Sequence, residues 1–108
     1  MINELVKRLS EGKHEVIIGY RGEDYEEIKQ RIKDGFIYIK FTQTKGGTEL
    51  GINVDYKLTC LKDANFELGK GHFQIVGICE LDFQRVRCVA DINLATRHGI
   101  GYLELLGK

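Results

Sequence analysis

The densest run of chemically capable side chains lies between Arg85 and His98. Arg85, Arg87, Val89, Asp91 and Asn93 occupy alternate positions, with Val86, Cys88, Ala90 and Ile92 between them. A period of two places the first set on one face of a strand and the second on the other. Guanidinium groups suit carboxylates and phosphates, while Asp and Asn suit hydroxyls, ring nitrogens and amides. The polar face therefore has the chemistry to read a sugar phosphate or a nucleotide-like anion. The same pattern describes a solvated sheet face whose charges pair with neighbouring strands, which is the commoner origin of such a face. Thr96, Arg97 and His98 follow at the end of the polar strand and would complete a compact site if the chain turned there. His98-Gly99 also reads simply as a turn pair.

A second candidate is the loop Thr44-Lys45-Gly46-Gly47-Thr48. Consecutive glycines can aim backbone N–H groups at an anion and Lys45 can add charge, but a flexible hairpin loop has the same composition. The spacing is not that of a phosphate-binding loop, and no strand-to-helix step follows it. His14, His72 and His98 fall on separate elements without ligand spacing, so no metal or cofactor is expected. The one serine, Ser10, sits on a helix with no nucleophile elbow, and no cysteine has an adjacent base. Catalytic residues are not assigned, although Asp91 with His98 or Glu80 could do acid/base work. The aromatics fit core positions, and no RNA-recognition motif is present.

These residues need a scaffold, and composition bounds it. The 108-residue chain is 43% apolar and 30% charged, which suits one globular domain spanning residues 1–108 with one core. Sixteen basic residues balance sixteen acidic ones, so no global field draws the protein to a nucleic-acid polymer or a membrane. The apolar runs are too short to span a bilayer and the start has no leader pattern, so the expected location is cytoplasmic. Cys60, Cys79 and Cys88 read as buried, reduced thiols.

Ile2, Leu5, Val6 and Leu9 predict a short helix over 2–11, closed by Gly12. A strand is expected over 14–20, then a helix opened by the Asp24 and Glu27 capping pattern and closed by Gly35. The strand expected over 36–42 permits either a parallel crossover or an antiparallel return. Alternation from Leu50 to Cys60 predicts one long strand, followed by turns at 62–65 and 69–71. Strands over 72–81, 85–95 and 100–106, joined at 82–84 and 97–99, make a meander.

The expected fold class is α+β, with two helices in the N-terminal half packed on a curved, mainly antiparallel sheet of five to six strands. Such a sheet leaves a face or an edge uncovered, which predicts a homodimer or other homo-oligomer. The leading expectation is a non-enzymatic module that sequesters or senses an anionic, nucleotide-like ligand at an oligomer interface. Its ligand-binding residues are Arg85, Arg87, Asp91, Asn93, Thr96, Arg97, His98, Lys45, Gly46 and Gly47. One alternative is an accessory or assembly subunit that docks another protein through its sheet. Another is a small lyase- or isomerase-like enzyme that uses Asp91 and His98.

Overall fold

The computed structural model describes residues 4–81 and 83–107, so Ile2 of the first predicted stripe lies outside the described residues. Helix α1 covers Glu4–Ser10 and α2 covers Tyr25–Asp34. The strands are β1 (His14–Ile18), β2 (Phe36–Phe41), β3 (Thr48–Val54), β4 (Ala64–Asn65), β5 (Lys70–Leu81), β6 (Gln84–Asn93) and β7 (His98–Gly107). All pairings are antiparallel, in the order β3-β2-β1-β7-β6-β5, and a further β3–β5 pairing closes the ring. The result is a six-stranded barrel, with β4 as a short addition beside β5.

The mainly antiparallel sheet with two helices is as expected, and its closure into a barrel goes beyond the curved sheet that the sequence predicts. The predicted meander is present as β5-β6-β7, but the sheet continues until its first and last strands meet at Asn53↔Ile78 and Val54↔Gly77. Gly77 permits that approach, since a Cβ there would stand 2.8 Å from the Asn53 carbonyl and 2.9 Å from Ile52. Inside the ring, Val16, Ile18, Ile37, Ile39, Phe41, Ile52, Ile75, Cys88 and Ile92 are buried, and Val6, Leu9, Ile28 and Ile32 add the helices to the same core. A sheet that buries one face against itself needs no second layer and has few free edges. Closure thus removes edges, while the outer face of β5, β6 and β7 stays uncovered.

Helix α2 starts as its sequence predicts. Glu27 N–H donates to Asp24 at 2.8 Å, Glu27 accepts from Asp24 N–H, and Gly35 closes the helix at φ 90°. The helix links β1 to β2, which are antiparallel, so the crossover option is not the one used.

Strand β3 ends at Val54, six residues before the alternation does. The Asp55 side chain accepts from Lys57 N–H, its carbonyl accepts from Thr59 N–H, and Tyr56 swings out to donate its hydroxyl to the Ile32 and Lys33 carbonyls at 2.7 and 2.8 Å. Tyr56 thus caps the C-terminus of α2 instead of continuing the strand. Leu58 and Cys60, expected inside, are exposed, whereas Cys79 and Cys88 are buried as expected. Ala64–Asn65, predicted as part of a turn, is strand β4. No helix among the described residues is long and apolar enough to cross a membrane.

Candidate functional site

Outward-facing residues of β5, β6 and β7 form a groove of about 540 Å³, to which Lys13, just ahead of β1, contributes its side chain. The register defines its rows. His72 lies opposite Asn93, and Gln74 opposite Asp91, which in turn faces Ile100. Ile92 pairs with Gly99, so His98 stands next to Asn93 on its other side, and Val89 pairs with Tyr102 at the far end. The groove runs from the imidazoles at one end to an apolar surface of Ile100, Val89 and the Tyr102 ring at the other, with Lys13 beside Tyr102.

Local chemistry holds each group. Asn93 Oδ1 accepts from Ala95 N–H at 3.0 Å and Thr96 N–H at 3.3 Å, which folds the chain into the β6–β7 turn. Its Nδ2 donates to no protein group among the described residues. His72 Nδ1 lies 3.6 Å from an Asp91 carboxylate oxygen, a diagonal cross-strand contact with both side chains exposed. Gly99 lets β7 lie against β6 beside these groups, since any Cβ there would collide with the Asp91 carbonyl.

The turn itself is 94–97, not 97–99. Arg97 takes the positive φ of 67°, and His98 is the first residue of β7. Arg97 Nη1 donates to the Gly19 and Glu23 carbonyls at 3.1 and 2.6 Å, and its guanidinium lies 4.9 Å from the Tyr25 ring centroid. Tyr25 also reaches the Ala95 carbonyl at 3.4 Å. Arg97 is therefore spent on tying the β6–β7 turn to the β1–α2 loop, where buried Glu23 also meets Arg31 at 3.2 Å. It positions His98 from behind and does not line the groove.

Of the residues singled out from the sequence, Asp91, Asn93 and His98 come together, and Thr96 supports them by accepting from His98 N–H at 3.2 Å. Arg85 and Arg87 share their outward face but not their groove. Arg87 meets Glu104 at 3.5 Å, and Arg85 lies beside Asn53, Ile78 and Glu80 at the other end of the strand. Lys45, Gly46 and Gly47 form the β2–β3 loop against α1, with Gly47 N–H already given to the Thr44 carbonyl at 2.9 Å. Sequence reasoning missed Lys13, His72, Gln74 and Tyr102. Only strand register brings them together, and no local spacing marks them. Among the described residues no group of His, Cys, Asp and Glu side chains is arranged to hold a metal ion.

Burial pushes the Cys79 thiol up to about 11, and burial with Cys79 nearby pushes Cys88 up further. Both are therefore poor nucleophiles. On another part of the barrel surface Arg21 lies 4.0 Å from the Tyr38 ring centroid and 3.5 Å from Glu49, while burial, with Glu49 beside it, raises the Tyr20 phenol to about 12. Arg21 is thus occupied by Tyr38 and Glu49, while the buried Tyr20 hydroxyl has no hydrogen-bond partner among the described residues. Compared with known proteins, the chain matches no family model and no curated protein.

Proposed function

We propose that this protein binds a small anionic, nucleotide-like ligand in the β5–β6–β7 groove. The observation that carries the reading is one groove with a free amide donor and two imidazoles at one end and an apolar surface beside a lysine at the other. A flat ring can lie over Val89, Ile100 and Tyr102 with Lys13 at its edge, the anionic group can take the Asn93 donor between the imidazoles, and Asp91 and Gln74 can read hydroxyls or ring N–H groups. The volume lies within the usual range for small-molecule sites, roughly 300–1,000 Å³. All of these groups come from one chain, so the reading needs no second subunit.

Titration of labelled protein with uridine and adenosine 5′-monophosphates, followed by amide chemical shifts, tests it. Perturbations are expected at His72, Asp91, Asn93 and His98. Lys13→Ala and Asn93→Ala should each weaken binding roughly tenfold, the equivalent of about 1.4 kcal/mol, while Arg85→Ala should leave it unchanged. Shifts confined to Lys45–Gly47, or none with any nucleotide, would exclude the groove.

A second reading, docking of another protein, is favoured by Phe83, which is 99% exposed at the tip of the β5–β6 hairpin. An aromatic presented in this way suits an anchor for a partner's pocket. Loss of a purified partner on Phe83→Ser with unchanged stability is its test.

A further inference from the structure

The row His72–Asn93–His98 is unlike a simple binding surface. Strands lie about 4.8 Å apart, so the two histidine Cα atoms flank Asn93 at a separation of about 10 Å. That span suits a tetrahedral phosphoryl group with an imidazole on either side and the Asn93 Nδ2 donor beneath it. Imidazole is the side chain that both takes and gives protons near neutral pH, and a carboxylate at Nδ1 orients such a ring with Nε2 presented to a substrate. Asp91 stands 3.6 Å from His72 Nδ1, within ion-pair but beyond hydrogen-bond distance, and would reach that relation by a small side-chain movement. Two proton carriers astride one anion subsite are more than binding needs, and they are what an in-line displacement at phosphorus needs.

We propose that the groove cleaves a ribose phosphodiester by internal transphosphorylation, a proposal that rests on the binding reading above. His98 takes the proton of the ribose 2′-hydroxyl as that oxygen forms its bond to phosphorus. The bond from phosphorus to the 5′-oxygen breaks, and that oxygen leaves with the proton of the His72 imidazolium, whose charge Asp91 offsets. The products are a 2′,3′-cyclic phosphate and a 5′-hydroxyl. His98 ends protonated and His72 neutral, and exchange with solvent restores both. The Asn93 amide donates to a phosphoryl oxygen as charge grows there, and Lys13 stands beside Tyr102 at the other end of the groove. The leaving nucleoside lies over Ile100 and Tyr102. His72 and His98 are the catalytic residues and Asp91 a positioning residue.

The other titratable groups around the two rings are Lys70 on β5, Tyr102 on β7, Glu15 on β1, which already accepts from Thr42, and Asp63, whose carbonyl accepts from His72 N–H. None of these stands between the two imidazoles in the strand register.

The test uses uridylyl-adenosine, a ribose dinucleoside phosphate, beside its 2′-deoxy analogue. The ribose compound should yield a 2′,3′-cyclic phosphate with a bell-shaped pH dependence, and the deoxy analogue should bind in the groove and stay intact. His72→Ala and His98→Ala should each slow cleavage of bound substrate about 100-fold or more, a loss larger than any weakening of analogue binding measured on the same variants. Asp91→Asn should move one limb of the pH profile, and Arg87→Ala should leave the rate unchanged. Binding of the analogue without any cyclic phosphate from the ribose compound overturns the catalytic proposal and leaves the binding reading standing. Absence of binding overturns both, and cleavage that survives His98→Ala overturns the assignment by pointing to a contaminating nuclease.

Discussion

At the scale of single residues, one sequence motif splits into different roles. Asn93 and Arg97 lie four positions apart in a segment that reads as one polar cluster, yet Asn93 faces the groove while Arg97 turns inward to two backbone carbonyls. A guanidinium bonded to carbonyls is a charge-assisted pair, so Arg97→Ala should cost about 2 kcal/mol, measured by urea denaturation. Arg97→Lys should recover only part of it, since one ammonium lacks the planar fork that spans Gly19 and Glu23. The thiols divide similarly. Only Cys60 should react with a thiol reagent in the native protein at mildly alkaline pH, with Cys79 and Cys88 following on unfolding, read by mass spectrometry.

At the scale of elements, the end of β3 and the end of α2 are one event. Tyr56 leaves the strand to donate to the last helical carbonyls, so Tyr56→Phe should remove the cap and cost about 1 kcal/mol without opening the barrel. Thermal denaturation measures the loss, and faster amide exchange in the last turn of α2 locates it. Asp24→Ala at the opposite end should cost a similar amount, about 1 kcal/mol, because the capping box then loses its acceptor.

At the scale of the molecule, closure is the feature on which the rest stands. Gly77→Ala forces a methyl between β5 and β3 and should cost about 1–3 kcal/mol, with the largest exchange increase at Asn53 and Val54. Stability should also fall in alkali. Cys79, Cys88 and Tyr20 all have raised pKa values in the folded state, so above about pH 9 the unfolded chain gives up protons that the native protein keeps. The stabilising contribution is complete below the unfolded values and fades as pH climbs toward 11 and 12. Cys88→Ala should flatten the slope of unfolding free energy against pH between 9 and 11.

The α+β character, both helices, the meander and the outward set from Arg85 to Asn93 were legible because each depends on short-range periodicity and capping, which neighbouring residues encode completely. Helix α2 is the clearest case, with its cap, stripe and terminal glycine all within twelve residues. The tertiary structure alone decided that the sheet closes, since that turns on Gly77 meeting Asn53 across a gap of twenty-four positions. It likewise decided that His72 and Lys13 join Asn93 and His98, while Arg85, Arg87 and Arg97 go elsewhere. Faces are properties of one strand, but a groove depends on the register of several. Register is set by the summed packing of the whole barrel, not by any segment alone.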